Sequence, residues 1–424
     1  MRPKTSLRQT SLPDEFGGQR RHRPDMPMLL CIITLILLGL IVIYAISPAL
    51  IARLSDSTEI SQNYFLYRQL IYIGLGLGAF TLATAIPLGW WRKNSAKLLL
   101  IGLVLSTLPF ILQATPLALC VNGACRWIDL GPISFQPVEI LKLTLLVFIA
   151  GFIATRASQG TLHNAQQTFV PVGVLLLVVA GIVIGLQKDL GTGLTVFSIA
   201  ITMLFIAGIR ARTFAVILAG TAAVGVIFIL AAPHRVERIL TFVNHSSSTS
   251  EDMGYHVNQA LIAIGSGGLT GKGLGQSIQA FGYLPEAAND SIFAILAEKF
   301  GFLGTVAVLG IFAALFMRLL RVIAQTMSLF PRLIVAGTFG WVFSHSIINI
   351  GAMLGIFPLT GITLPFVSFG GTSLVCMLAA LGLVFQISRY STHTTTVRSE
   401  GGSNDDFGSR RRVGRSRDAS VGSS

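Results

Sequence analysis

The sequence predicts an all-α polytopic membrane protein with ten transmembrane helices and both termini in the cytoplasm. Of its 424 residues, 52% are hydrophobic and only 12% are charged, whereas soluble proteins average about 25% charged residues. The mean hydropathy is +0.72. This composition excludes most classes of soluble enzyme.

Ten segments are long and apolar enough to cross a bilayer, since a spanning helix needs about 20 mostly apolar residues. The predicted spans are 28–48, 69–88, 98–115, 139–155, 170–186, 191–208, 213–232, 290–316, 333–356 and 371–388. The basic stretch before the first span is typical of a secretory signal. That span is longer than a signal core, however, and further spans follow it, so we expect a retained signal anchor.

The two ends of the chain, 1–27 and 389–424, are polar, basic and rich in Ser, Gly and Arg, which predicts disordered tails. An even number of spans places both tails on one side, and basic segments face the cytoplasm. The chain has 31 Lys and Arg residues against 18 Asp and Glu, a net charge of +13. We interpret this excess as a signal of topology and of contact with anionic membrane lipids, and not of nucleic-acid binding.

The loop 233–289 is the longest of five predicted outward loops, and a loop of that length is usually functional. Ionisable residues collect in and near these loops, at the outer ends of predicted helices. A charge at mid-membrane costs about 2.5–3.5 kcal/mol, so such residues tend to have a role. An alternating-access transporter would hold them near the midplane instead.

Two carboxylates, Glu286 and Asp290, stand four residues apart where the long loop meets the eighth span. On one helical face they would form a pair that raises one pKa, as a general base requires. They could also bind a divalent cation, which prefers oxygen ligands. The alternative is that Asp290 only caps the helix, since Asp is a preferred N-cap residue.

A second cluster joins Arg126 to the start of the fourth span, where Pro137 suits the first helical turn. Glu139 and Lys142 are three residues apart and share one helix face. They form either an ion pair facing a polar cavity, with Lys142 open to an anionic substrate, or a structural pair that neutralises itself. Asp189 lies in a short polar turn between spans five and six, which alone is weak evidence for function.

The glycine-rich stretch 265–275 around Lys272 lacks the spacing of a phosphate loop. Its glycines could flex near a lipid pyrophosphate, or could simply make the loop flexible.

Cys120 and Cys125 share an outward loop, and an oxidising exterior would either join them in a disulfide or leave them free. His345 lies inside the ninth span, where we expect a hydrogen-bonding residue of the bundle more than a metal ligand.

These motifs together resemble the SEDS family, the shape, elongation, division and sporulation proteins. The similar segments are 123–128, 135–142, 189–192, 262–269, 271–273, LPEA at 284–287 and PLTGITLPFVSFGGTS at 358–373. They occur in the family's order between about residues 30 and 390. The resemblance implies a ten-helix peptidoglycan glycosyltransferase that polymerises lipid II on the outer face of the bacterial cytoplasmic membrane, beside a class B penicillin-binding protein transpeptidase.

The resemblance also implies roles for individual residues. Asp290 matches the family's essential aspartate, and we expect it to act as general base or as ligand to a divalent cation, Mg²⁺ or Mn²⁺, with Glu286 assisting. A single displacement would invert the anomeric centre. The residues expected to bind substrate are Arg126, Lys142, Glu139, Lys272, Arg238 and Asp189.

Segments 273–279 and 284–287 are more similar to the division type of the family than to its elongation type. The division type implies other divisome proteins as partners and a location at the septum. Two rival functions remain from other classes, a lipid II flippase or other transporter, and a catalytically silent divisome scaffold. A polymerisation assay on lipid II separates the polymerase from both.

Overall fold

The computed structural model describes residues 23–54, 63–121, 124–131, 133–230, 236 and 251–390. Side chains of 52–54, 121 and 251–253 are not described. Most of the two predicted tails therefore lies outside the described residues, as does Arg238.

Eleven α-helices make up most of the described chain. They are α1 (Met26–Leu54), α2 (Tyr64–Ala85), α3 (Leu88–Ile111), α4 (Pro137–Ser158), α5 (Val170–Ala180), α6 (Leu190–Ile206), α7 (Ala211–Leu230), α8 (Glu251–Ser266), α9 (Ile292–Gln325), α10 (Leu329–Met353) and α11 (Gly371–Ser388). Wider π-helical turns at Ala165–Phe169 and Gly181–Leu186 extend α5 at both ends. A 3₁₀ turn spans Gln279–Phe281.

Each of the ten predicted spans is helical. Nine helices among the described residues are long and apolar enough to cross a membrane, counting Ala165–Leu186 as one. The tenth, α6, has 17 residues, which is the lower end of the range for a spanning helix. The predicted all-α, many-span fold is therefore confirmed, with α6 as its shortest member.

The second outward loop departs from the all-α prediction, because it folds into a small antiparallel sheet. Its strands are β1 (Ala118–Val121), β2 (Ala124–Asp129) and β3 (Ser134–Phe135), in the order β1-β2-β3. Cys120 and Cys125 are paired across β1 and β2 and form a disulfide. This bond decides the alternative that the sequence left open. The sheet is too short for alternation of polar and apolar residues to reveal it.

The centre of the bundle is built from α4, α10 and α11, whose apolar stretches are mostly buried. Helix α2 packs along α11, α3 along α4, and α6 along α10. Glycines allow the closest approaches: a Cβ on Gly382 would overlap the backbone oxygen of Phe80, and one on Gly340 would meet Thr202. These contacts bring the outer ends of α4, α6, α9 and α10 together.

The long outward loop contains a further helix, α8, which the sequence had left as loop. Its buried residues include His256, Ala260 and Ala263, which recur at helical spacing and so line one face. That face packs against α9. The loop is therefore tied to the start of α9, where the two predicted carboxylates lie.

Candidate active site

Asp290 lies two residues before the start of α9 and is buried, with 9% of its surface exposed. Its backbone oxygen accepts a hydrogen bond of 2.7 Å from the Asn349 side chain on α10. The same Asn349 nitrogen donates to the Ile362 backbone oxygen at 2.7 Å. Asn349 therefore fixes Asp290 to α10 and to the loop that follows it.

The carboxyl of Asp290 keeps one oxygen free. Within the described part of the chain, its buried Oδ1 has no hydrogen-bond partner. The residue at the N-cap of α9 is Ser291, not Asp290, so the interpretation of Asp290 as a helix cap is wrong. A buried polar atom without a partner is costly, and such atoms are often kept for chemistry.

Burial, and after it the negative charge of Glu286, raise the pKa of Asp290 to about 7, while hydrogen bonds from Asp290 and Ser291 act in the opposite direction. A base is most effective when its pKa lies close to the working pH. The geometry and the pKa together describe a carboxyl that can accept a proton at neutral pH.

Glu286 and Asp290 are held in one tight turn. Glu286 is exposed and has a positive φ of 49°, which is uncommon for a residue other than glycine. Its backbone oxygen accepts hydrogen bonds from the backbone of Asn289 and Ser291, at 2.9 and 3.2 Å, and the Asn289 side chain donates to its Oε2 at 2.6 Å. The turn orients Glu286 towards solvent and leaves Asp290 enclosed.

Glu139 and Lys142 form a buried ion pair, with 2.6 Å between Nζ and Oε1. The Lys142 ammonium also lies 3.3 Å from Nε2 of His345 and 5.0 Å from the ring centre of Trp341. His345 is thus a hydrogen-bonding residue of the bundle, as expected. Pro137 occupies the first turn of α4, as predicted.

The ion pair and Asp290 reach the same face of α10. His345 contacts Lys142, and Asn349 contacts Asp290. Residues four apart on a helix are neighbours about 6 Å apart along the axis. His345 Nδ1 also lies 3.3 Å from the Thr363 backbone oxygen, next to the Ile362 oxygen that Asn349 holds. The structure therefore places the pair one helical turn from the attachment of Asp290.

Arg126 and Asp189 meet at the polar turn between α5 and α6. Arg126 donates to the backbone oxygens of Gln187 and Lys188 at 2.9 and 2.8 Å. Asp189 caps α6, because its two oxygens accept from the backbone nitrogen and the hydroxyl of Thr192, both at 2.9 Å. Both side chains therefore fix this turn in place.

Lys272 lies in a different environment. Its Nζ is 3.3 Å from Oε1 of Glu298, and 27% of its side chain is exposed. Glu298 comes eight residues after Asp290, about 12 Å further along the chain if helical rise is assumed. The described contacts therefore do not bring Lys272 to Asp290.

The glycines around Lys272 serve close packing. A Cβ on Gly267 or Gly271 would overlap the backbone at Ala297 or Lys299. The backbone nitrogen of Phe302 donates to the Gly268 oxygen at 2.8 Å. Gly301, with φ of +66°, interrupts α9 at this contact. The glycines let the loop lie directly on the backbone of α9. The sequence analysis expected them to flex near a lipid pyrophosphate or to make the loop flexible, and it did not predict this packing role.

Asn349, His256 and Ser291 are the residues near Asp290 that the sequence analysis missed. His256 Nε2 lies 2.6 Å from Ser291 Oγ. No sequence signal marks the three as a group, because 35 residues separate His256 from Ser291 and 59 separate Asn349 from Asp290. Their polar character inside an apolar helix, or on the apolar face of α8, is the one local hint.

Comparison with known proteins gives matches along almost the whole chain. The family model for cell cycle proteins named FTSW_RODA_SPOVE matches residues 26–393. Stage V sporulation protein E of Bacillus subtilis is 37% identical over 379 residues, covering 88% of this chain and 99% of the relative. The probable peptidoglycan glycosyltransferase FtsW of Marinobacter nauticus is 33% identical, covering 92% and 98%.

Solved structures match as well. A chain from a structure described as the structural coordination of polymerization and crosslinking by a peptidoglycan synthase complex aligns with a TM-score of 0.69, 27% identity, and coverage of 87% of this chain and 98% of that chain. The rod shape determining protein RodA of Thermus thermophilus aligns with a TM-score of 0.61, 27% identity, and coverage of 87% and 98%.

Proposed function

The chain belongs to the family of cell cycle proteins that includes FtsW, RodA and SpoVE, and we propose that Asp290 is the base with which it polymerises lipid II. The protein is a multi-pass membrane peptidoglycan glycosyltransferase. The observation that carries the proposal is the buried Asp290 carboxyl, with Oδ1 unpartnered among the described residues and a pKa of about 7.

The reaction joins two sugars and releases a lipid pyrophosphate. A hydroxyl oxygen of the acceptor sugar attacks the anomeric carbon of the donor, and its proton passes to the Asp290 carboxylate. The bond from that carbon to the pyrophosphate oxygen breaks, and undecaprenyl pyrophosphate leaves with the electron pair. Because the attack is a single displacement from the opposite face, the configuration inverts. Glu286 supports the base by keeping the pKa of Asp290 high.

The leaving pyrophosphate needs positive charge, which preorganised groups supply best. Arg126 lies on β2 of the outer sheet, and two of its nitrogens are used by the turn at 187–188. Lys142 is fully buried in its ion pair with Glu139. Unless the two side chains separate, the pair acts on the substrate through its electrostatic field. Asp189 holds the turn that Arg126 contacts. Lys272, held by Glu298, and Arg238, which lies outside the described residues, complete the proposed set.

A divalent cation, Mg²⁺ or Mn²⁺, fits this proposal only if the substrate supplies some of the cation's ligands. No cluster of three or more His, Cys, Asp or Glu residues occurs in the described ranges. Asp290 offers one unpartnered oxygen, with Glu286 close by, and Mg²⁺ is often bound by one or two carboxylates plus phosphates. When bound, the cation would offset the charge of the pyrophosphate.

We place the protein at the division septum, with a class B penicillin-binding protein transpeptidase and other divisome proteins as partners. Support comes from the FtsW relatives and from the described coordination of polymerisation and crosslinking in the similar complex. The elongation-type assignment is the alternative, since RodA also aligns. Complementation of division and elongation mutants separates the two types.

The test is polymerisation of lipid II by the purified full chain with its transpeptidase partner in detergent. Asp290→Asn keeps the shape of the side chain and removes the base, so we expect polymer formation to fall at least about 100-fold. Asp129→Asn makes the same chemical change in the outer sheet and should retain activity. Polymerisation by Asp290→Asn at the parent rate would refute the proposal.

Two further arms address the alternatives. A chelator should lower the rate, with recovery on adding Mg²⁺ or Mn²⁺, if a shared cation takes part. In detergent there are no membrane leaflets between which a flippase could move lipid II. Neither a flippase nor a silent scaffold would make polymer from lipid II there, whereas a polymerase would.

A further inference from the structure

His256 is a buried histidine on α8 that the proposed reaction does not yet use. It is 9% exposed and heads the apolar face formed with Ala260 and Ala263. Its Nε2 lies 2.6 Å from the hydroxyl oxygen of Ser291, the residue that directly follows Asp290. A polar ring at the end of an apolar stripe is costly to bury unless it makes a specific bond.

The direction of this hydrogen bond follows from proton counting. A serine hydroxyl has one proton, and Ser291 shares it between the Pro285 backbone oxygen at 2.8 Å and the Asp290 carboxylate. The hydroxyl oxygen must then accept from His256, so the imidazole carries a proton on Nε2. Burial lowers the pKa of His256, although Glu286 acts in the opposite direction, and this agrees with a neutral ring that donates from Nε2.

These two bonds close the turn that holds Asp290. Pro285 lies at one end of the turn and Ser291 at the other, and the Ser291 hydroxyl connects them. The turn is under strain, because Glu286 has a φ of 49° and a non-glycine residue persists there only when its surroundings hold it. His256 ties this closed turn to α8, while Asn349 ties the Asp290 backbone to α10.

We propose that His256 is a positioning residue for Asp290, acting through the hydroxyl of Ser291. The inference rests on the proposed role of Asp290 as base. His256 makes no contact with the reacting atoms; it keeps the turn from opening and so keeps the carboxyl where the acceptor hydroxyl arrives. A small misplacement of a reacting group is enough to lower a rate substantially.

The experiment compares four variants of the full chain with its partner in detergent: His256→Ala, His256→Gln, Ser291→Ala and the double variant His256→Ala/Ser291→Ala. We expect His256→Ala and Ser291→Ala each to lower kcat about tenfold with KM changed less than about twofold. His256→Gln should recover most of kcat, since its amide can still donate. The double variant should be no slower than His256→Ala, because both changes remove the same link.

Thermal unfolding of each variant separates positioning from folding. Tm values close to the parent, with the kcat pattern above, would support the proposal. Three results would overturn it. The first is an unchanged kcat in His256→Ala, and the second is additive losses of kcat in the double variant. The third is that His256→Gln loses as much kcat and as much Tm as His256→Ala does. Should His256→Ala not fold, Ser291→Ala and His256→Gln carry the same comparison.

Failure of this inference is distinguishable from failure of the proposed base. If Asp290→Asn abolishes polymerisation and His256→Ala does not slow it, the base stands and the positioning role is wrong. If Asp290→Asn keeps the parent rate, the proposed function fails first, and with it the reason to position Asp290.

Discussion

Two buried acids lie eight residues apart, Asp290 just before α9 and Glu298 within it, and their surroundings differ sharply. Glu298 accepts four hydrogen bonds: from Lys272 Nζ at 3.3 Å, Ser277 Oγ at 2.6 Å, and the backbone nitrogens of Ile278 and Gln279 at 3.0 and 3.4 Å. Asp290 has an Oδ1 with no partner in the described part of the chain.

The difference separates a structural acid from the proposed base. A carboxylate whose oxygens accept several hydrogen bonds has no lone pair to spare, and Glu298 therefore anchors the loop that carries Lys272. Burial makes the Asp290 carboxyl hold its proton more tightly, although hydrogen bonds from Asp290 and Ser291 act in the opposite direction. Its Oδ1, unpartnered among the described residues, can serve chemistry. Both acids are buried, so the partners around their oxygens, and not burial alone, decide their roles.

The largest expected effect is on stability, from Glu298→Ala. The change leaves Lys272, Ser277 and two backbone nitrogens without their acceptor, and each buried donor left unpaired costs about 1–3 kcal/mol. We expect a clear fall in Tm by thermal unfolding in detergent, whereas Asp290→Ala should cause no such fall near neutral pH, because it removes a charge that burial disfavours. Equal losses in the two variants would remove the distinction between the acids.

The second prediction concerns the pH dependence of polymerisation. Asp290 accepts a proton only when ionised, and its pKa is about 7. Between about pH 8 and pH 5 we expect kcat/KM to fall on the order of 100-fold, following the fraction of ionised carboxyl. A profile with no acid limb near neutral pH would show that Asp290 is not the titrating base.

The third prediction uses stability to detect the same pKa. Because the folded state raises the pKa of Asp290 to about 7, it binds a proton more tightly than the unfolded chain does. Ionising Asp290 in the folded state therefore costs stability as pH rises from the ordinary carboxyl range towards 7. Asp290→Asn should raise Tm by a few degrees at about pH 8, with a smaller gain at about pH 5. A gain that does not depend on pH would contradict the raised pKa.

The smallest effect is expected from Glu286→Gln. Glu286 is exposed, so its interaction with Asp290 is screened. Removing its charge should lower the pKa of Asp290 and move the acid limb of the rate profile to lower pH by a few tenths of a unit, with less than about a threefold change in kcat. A shift in the opposite direction, measured in the same assay at several salt concentrations, would argue against the coupling.

Local features of the sequence were enough to predict the spans. The length of an apolar run decides whether a helix crosses a bilayer, because backbone polar groups must be satisfied within the segment. Each of the ten runs is a helix, and Pro137 begins α4 as its fixed φ requires. The pairing of Glu139 with Lys142 followed from spacing within one helix.

The details of the site depended on contacts between distant parts of the chain. No local pattern connects Lys142 with His345, which are 203 positions apart. The same holds for Asn349 with Asp290 and for His256 with Ser291. The sequence also marked Asp290 as a possible helix cap and Lys272 as a neighbour of the site, since spacing along one segment does not reveal which donors a neighbouring loop supplies.

The sequence by itself therefore determined the membrane fold and the family, and it indicated Asp290 as the proposed base, since apolar run length and ordered motifs are local properties. Only the tertiary structure decided which acid is saturated with donors and which is left short of them. That outcome depends on how α8, α10 and the glycine-rich loop pack around α9. Hydrogen bonds and burial across long sequence separations, and not composition, set the chemistry of a buried carboxyl.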